Sequence, residues 1–485
     1  MRLPCLLAGW LFVAASGAAQ PPNVVIILAD DLGYGDVGCF GAKKCRTPVL
    51  DRMAAEGMRF TSFYVAQAVC SASRAALMTG CYANRVGLAG ALNHTSHEGI
   101  DPAEWLLPEM CRARGLATAA FGKWHLGTRP AFNPLRNGFD EFLGLPYSND
   151  NSRYHPSLAA EMPPLPLLEG EKVIETDPDQ STFTRRFTER AVAFIEEHRK
   201  QPFFLYVPHV MPHVPIFASE KFKGKTGAGL YADVIAELDA ACGDIFAALR
   251  RNGLDEHTLV IFFSDNGPFL SYGGHAGSPG PLREGKLTTF DGGVRVPCIM
   301  RWPGKIPPGR VCDEPVMAID LLPTVAALVD GRMPEKKIDG KNILPLILGE
   351  PGAKSPHEAL FFYAGDELQS VRMGRWKLHF AHPYLTVTTP VRDDGKPAGY
   401  GTLKPLSITQ SGIEGIASRH GYGVKQIEES LFDLETDPGE NTDVIAVHPD
   451  VAARMRKLAA GMRAELGDGL TGVRGRENRR AGEAP

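Results

Sequence analysis

Apolar, β-branched runs alternate along the first two thirds of the chain with segments whose apolar positions recur every three or four residues. Val24 to Leu28 is a short, wholly apolar run, the pattern of a strand buried on both faces. Thr47-Pro48, then Leu50, Met53 and Ala54, then Gly57, spell a helix with a cap, a first-turn proline and a glycine stop. Leu106 to Arg114, closed by Gly115, predicts a second helix, and Ala117 to Phe121 a second strand. Further on, Phe183 to His198 reads as helix, Phe203 to Val207 as strand and Leu259 to Phe263 as strand. Between the last two, Tyr231 to Asn252 is a long helix ended by Gly253. This βαβα alternation predicts a parallel sheet covered by helices on both faces.

Each of these strands runs into polar residues. Asp30-Asp31 follows the first, Lys123 and His125 the second, His209 and His213 the third, and Asp265-Asn266 the fourth. Ligands of open α/β sheets bind beyond the carboxyl ends of the strands, so four strand ends point at one cleft. Past about residue 350 the pattern changes: Leu360 to Tyr363, Ser370 to Met373 and Trp376 to Phe380 are short strands close in sequence, which suits an antiparallel sheet. Residues 383–430, rich in Thr, Gly, Pro and Ser, are expected as loops near the cleft mouth, and Val451 to Leu466 as a final helix. The charged end from Arg474 to Pro485 is expected to be disordered. The chain then divides into a leader (1–20), a catalytic domain (21–350), a C-terminal subdomain with a small antiparallel sheet and helix (351–470), and a tail (471–485).

Composition narrows the class without naming a substrate. The length of 485 residues allows more than one domain, and 44% hydrophobic with 22% charged residues is ordinary for a soluble globular chain. A net charge of -4 leaves an anionic substrate open, while the lack of a basic run with interleaved aromatics argues against nucleic acid as a partner. At the amino terminus, Arg2, the apolar Leu6 to Ala15 and the small Ser16 to Ala19 form a secretory signal. The expected product is secreted or periplasmic, or lysosomal in an animal host. No later segment is long and apolar enough to span a bilayer. In such a compartment Cys39, Cys45, Cys81, Cys111, Cys242, Cys298 and Cys312 invite disulfides, Cys39 with Cys45 being the local option.

The polar residues divide into two chemical sets. Asp30, Asp31, Asp265 and Asn266 offer oxygen ligands only, which suits a hard cation such as Ca²⁺. Arg74, Lys123 and Lys286, with His125 and His213, supply cations and proton carriers suited to an anionic ester, whose developing charge such donors stabilise. His209 reads as structural and His275 as a loop residue. Cys70 could serve as a thiol nucleophile if a helix starting at Ser73-Arg74 lowered its pKa, but thiol hydrolysis leaves the carboxylates without a purpose.

Cys70-Ser71-Ala72-Ser73-Arg74, followed by Thr79-Gly80, resembles the signature of the formylglycine-dependent sulfatases. The likeness extends from Asn23–Gly33 through Asn137–Gly144 and Gly285–Gly293 to Leu431–Glu440, and is strongest to the group of arylsulfatase A and N-acetylgalactosamine-6-sulfatase. It implies an alkaline-phosphatase-like fold, a large, mostly parallel mixed sheet between helices with a smaller antiparallel sheet after it. It implies that a maturation enzyme oxidises Cys70 to formylglycine, whose hydrate attacks sulfur in a two-step covalent hydrolysis of a sulfated small molecule or glycan. Asp30, Asp31, Asp265 and Asn266, with the converted Cys70, are then expected to bind Ca²⁺. The resemblance further implies that Arg74 and Lys123 hold the hydrate, that His125 is the base that expels sulfate, that His213 and Lys286 bind the sulfate, and that Ser148 touches it. The chain departs from the commonest signature at Ala72 and Cys81, which bears on maturation and not on the ligand set. The rival readings are a phosphatase or phosphonate monoester hydrolase of the same superfamily, and a glycan-binding relative without catalysis. Asn266 disfavours the two-zinc phosphatase version, which calls for more histidine.

Overall fold

The computed structural model describes residues 20–484, so the expected signal over 1–20 lies almost wholly outside the described residues. Asn23–Ala29 forms the centre of a ten-stranded sheet, hydrogen-bonded in parallel to Thr258–Ser264 on one side and Phe203–Pro208 on the other. Ala117–Lys123 and Glu141–Leu145 continue the parallel block beyond Phe203–Pro208. Antiparallel pairings join that block to both edges: Cys298–Arg301 lies beside Thr258–Ser264, and Pro166–Glu169 beside Glu141–Leu145.

 

Alternate residues of the central strand feed two separate cores, which is why the whole run is apolar. Val24, Ile26 and Leu28 pack with the helices Cys70–Thr79, Leu107–Ala113 and Leu321–Val329. Val25, Ile27 and Ala29 pack with Pro48–Glu56, Phe183–Glu197 and Leu230–Arg251 on the opposite face. The predicted helices and strands of the first two thirds therefore form with their ends within a few residues of expectation, and the parallel block is covered on both faces.

A second, four-stranded antiparallel sheet is built from Leu360–Ala364, Glu367–Met373, Trp376–His379 and Ser430–Asp433, with the helix Pro449–Leu466 packed on it. Two expectations are corrected in this region. The stretch 383–430 is not loop throughout: His382–Thr386 pairs with Gly423–Ile427, and Ile413–His420 is a helix. The charged end is not a free tail either. Gly482–Glu483 pairs with Glu98–Gly99, and the Arg479 guanidinium reaches the buried Glu104 carboxylate at 2.7 Å. Backbone pairing and a sheltered ion pair hold a segment whose composition alone suggested solvent.

A buried charge cluster ties the second sheet to the short helix Asp291–Val294. Lys377 Nζ lies 2.7 Å from Asp291 and 3.2 Å from Glu440, all three side chains being fully buried. Tyr64 donates to Asp291 and His379 meets Glu440, each at 2.8 Å. Replacing Lys377 by Met leaves two carboxylates buried without their cation, and is expected to cost about 3–5 kcal/mol of stability. Urea unfolding measures this directly; a loss below about 1 kcal/mol would show that the cluster does not hold the second sheet in place.

Candidate active site

Thr258–Ser264, Asn23–Ala29, Phe203–Pro208 and Ala117–Lys123 are neighbours in the sheet and all parallel, so their carboxyl ends open on one edge. Asp265-Asn266, Asp30-Asp31, His213 and Lys123 with His125 leave the sheet there, side by side. Asp31 and His125 take left-handed backbone angles, φ 64° and 60°, a strain of roughly 1–3 kcal/mol each that surrounding packing must hold. Gly122 permits the turn at Lys123, since a Cβ there would sit 2.0 Å from the Pro208 carbonyl oxygen.

Cys70 is itself the first residue of the helix Cys70–Thr79, three residues earlier than the predicted start at Ser73. It is buried, its Sγ 3.7 Å from Asp30 Oδ1, and Lys286 Nζ donates to it at 3.4 Å. Burial and the Asp30 carboxylate push the thiol up to about 12, against the pull of Lys123 and Lys286. Burial thus works against the lowering expected of a helix start, and disfavours the thiolate-nucleophile alternative.

Arg74 lies one helical turn beyond Cys70, on the same face. Its Nη2 donates to Asp30 at 3.0 Å and to Asp265 at 2.8 Å, and its Nη1 to the Lys123 carbonyl. Lys123 Nζ reaches Asp30 at 2.6 Å and Ser148 Oγ at 3.1 Å. Lys286 Nζ lies 2.7 Å from Asp31 and stands over the Phe269 ring, while His213 Nε2 is 3.6 Å from the same Asp31 carboxylate. Asn266 Nδ2 also donates to Asp31, at 2.7 Å.

His125 Nε2 lies 2.7 Å from the Leu92 carbonyl oxygen, which can only accept, so that nitrogen carries the proton. Its Nδ1 is buried without a partner, and burial together with Lys123 holds the ring well below the usual histidine range. The structure thus brings together Cys70, Arg74, Lys123, His125, Ser148, His213, Lys286, Asp30, Asp31, Asp265 and Asn266. His209 stands apart, with both ring nitrogens unpartnered and burial pulling it down to about 4.

The donor set fits a hard cation. Donor atoms of Asp30, Asp31, Cys70 and His213 all lie within 4.8 Å of one another, and Asn266 Oδ1 is buried with no partner. Burial would raise Asp30, but Lys123, His213, Arg74 and Lys286 hold it low; Asp265 is pushed upward by burial and by the Asp30 charge. Carboxylates forced together at this depth, next to an unsatisfied amide oxygen, offer oxygen ligands to a metal ion, with Cys70 and His213 adding a sulfur and a nitrogen.

Cys70, His125, Ser148, His213 and Lys286 line a cavity of about 500 Å³. Its walls bring in Asp150, Gln369, Arg419 and His420, none of which was singled out from the sequence. Asp150 had a local signal, two residues after Ser148. Burial would raise it, yet His213, His155 and Lys123 hold its carboxyl well below the usual range. Arg419 and His420 come from the helix in the stretch expected as loop, and no spacing in the chain announces that they reach this cavity. Cys39 and Cys45, like every described cysteine, are free.

The fold and this arrangement suit an enzyme with a mixed α/β architecture that acts on anionic esters. The comparisons specify it: the family model described as Sulfatase matches residues 22–331, and that for the C-terminal region of aryl-sulfatase matches residues 355–473. Arylsulfatase A of Bos taurus is 39% identical over 461 residues, 90% of this chain and 86% of the relative. N-acetylgalactosamine-6-sulfatase of Canis lupus familiaris is 39% identical over 389 residues, 76% of this chain and 73% of the relative. The crystal structure of the PsFucS1 sulfatase from Pseudoalteromonas sp. superposes with a TM-score of 0.78 at 26% identity, covering 96% of this chain and 92% of that one. The chain belongs to the sulfatase family and is a sulfuric ester hydrolase. Among the described residues no helix is long and apolar enough to cross a membrane.

Proposed function

We propose that this chain hydrolyses the sulfate ester of a sugar, using a formylglycine made from Cys70 and a bound Ca²⁺. The observation that supports it most is the position of Cys70, at a helix start between the carboxylate cluster and Lys286, with its thiol held protonated. As a thiol this group is inert there; as an aldehyde hydrate it supplies one hydroxyl to attack sulfur and a second whose deprotonation releases sulfate. Asp30, Asp31, Asp265 and Asn266 would hold the cation, which when bound supplies positive charge to the ester oxygens.

The remaining steps belong to the chain's own residues. Arg74 and Lys123 fix the geometry around position 70 through Asp30 and Asp265. Neutral His125 takes a proton at its free Nδ1, the Leu92 carbonyl fixing its tautomer. Lys286 and His213 orient the sulfate and support the leaving oxygen, and Ser148, fixed by Lys123, adds a hydroxyl. A signal at the amino terminus and an external maturation enzyme complete the reading.

Turnover of 4-nitrophenyl sulfate against 4-nitrophenyl phosphate separates this from the phosphatase and phosphonate hydrolase alternative. The sulfate is expected to win by about 100-fold or more in kcat/KM, a margin of the size that misplaced charged oxygens cost. A strong preference for phosphate would refute the proposal.

A further inference from the structure

The Lys286 ammonium has three N–H bonds to place, and it has three neighbours. Its Nζ lies 2.7 Å from Asp31 Oδ1, donates to Cys70 Sγ at 3.4 Å and stands 4.7 Å from the centroid of the Phe269 ring. The third neighbour differs in kind from the first. A second carboxylate would orient the ammonium equally well, but it would cancel the charge that an anionic ester needs. The negative face of an aromatic ring orients a cation and leaves its charge in place.

The ring is itself fixed. Phe269 and Lys286 are each 4% exposed, and Phe269 lines the cavity beside Cys70 and His213. Tyr272, His420 and Tyr422 pack around it, with ring centroids 5.0, 4.9 and 6.0 Å away. Tyr272 Oη meets His420 Nδ1 at 2.8 Å, which closes the clamp. His420 and Tyr422 belong to the helix Ile413–His420 and the turn after it, so a late part of the chain holds a ring of the active site. The lysine is tied to the same corner: its backbone N–H donates to the Pro268 carbonyl at 2.9 Å, one residue before Phe269. Glu284 and Leu287, on either side of Lys286, take left-handed backbone angles, φ 57° and 72°. Strain of this kind persists only where the surroundings impose the conformation.

We propose that Phe269 is a positioning residue for the reaction. Its ring face holds the Lys286 ammonium against position 70 without neutralising it, so that charge developing on the ester meets a full positive charge. This inference rests on the sulfate-ester reading above and adds a residue to it.

The test uses the matured, full-length protein and 4-nitrophenyl sulfate. Phe269→Leu removes the ring and is expected to lower kcat/KM by about tenfold or more, chiefly through kcat. Trifluorophenylalanine at position 269 keeps the shape of the ring and withdraws electron density from its face. It is expected to lower kcat/KM by about threefold or more while the protein melts as the parent does. The fluorinated protein decides the matter even where Phe269→Leu fails to fold. Fluorinated protein as active as the parent overturns the inference, because the ring then serves packing alone. A loss of activity matched by a lower melting temperature overturns it as well. No turnover of 4-nitrophenyl sulfate by the parent overturns instead the functional reading and takes this one with it.

Discussion

Cys70→Ala is expected to lower kcat/KM for 4-nitrophenyl sulfate by about 10⁴-fold or more, the loss typical of removing a nucleophile whose partners cannot substitute for it. The structure shows why the loss is catalytic and not a failure to fold. Cys70 begins a helix whose ten residues are all buried, and its side chain contacts the charged cluster more than the apolar core. Alanine suits a helix better than cysteine and deletes one sulfur, a change worth about 1 kcal/mol. Circular dichroism and a thermal melt close to the parent's would confirm an intact fold. Asp30, Lys123 and Lys286 remain in place in the variant, so their electrostatic contribution is retained and only the attacking group is lost. The companion measurement is the mass of the peptide spanning position 70, expected about 18 Da below the cysteine form because oxygen replaces sulfur and two hydrogens leave. Full hydrolysis by Cys70→Ala would refute the nucleophile assignment whatever the mass.

The strand ends were legible because two patterns coincided. A run such as Val24–Leu28 can be apolar throughout only if both its faces are buried, and polar residues directly after such a run have only the cleft edge to occupy. The structure places four such ends on adjacent parallel strands, so the convergence of Asp30, Lys123, His213 and Asp265 follows from local pattern plus topology. The helix carrying Cys70 was read less well. Ala72, Ser73 and Ala75 give no amphipathic stripe because every face of that helix is buried, and its start therefore carries no polar-to-apolar boundary.

The cavity walls were the least legible part. Arg419 stands about 350 residues from Cys70 in the chain, and it reaches the cavity through the hairpin His382–Thr386 with Gly423–Ile427 and the short helix before it. Thr, Gly, Pro and Ser in that stretch predict turns correctly but hide the two strands between them, both short, the first mostly buried and the second mostly exposed. The tail failed for a related reason. Charge reads as solvation in a sequence, whereas Arg479 finds Glu104 in a place that only the folded chain creates. Long-range pairing decides both cases.

Removing divalent cations with a chelator is expected to lower activity on 4-nitrophenyl sulfate by about 100-fold or more, with Ca²⁺ restoring it and Zn²⁺ failing to. Asp30, Asp31 and Asp265 are matched by Arg74, Lys123 and Lys286, so the floor is neutral without a metal ion and offers an anionic ester little net attraction. A divalent cation turns that balance positive at the point where the ester must sit, and the unpartnered Asn266 Oδ1 gains its missing contact. Oxygen donors select Ca²⁺ over Zn²⁺, which draws nitrogen and sulfur. Asp31→Asn is expected to weaken Ca²⁺ binding by at least about tenfold, since each carboxylate removed from a hard-cation site lowers its affinity. It is also expected to shrink the rise in melting temperature that Ca²⁺ produces in the parent, because ligand binding to the folded state alone is what raises it. Isothermal titration with Ca²⁺ and melting curves with and without it read both effects independently of turnover. Parent protein that keeps full activity after exhaustive chelation, and melts at the same temperature with and without Ca²⁺, would show that the carboxylate cluster serves Arg74, Lys123 and Lys286 alone.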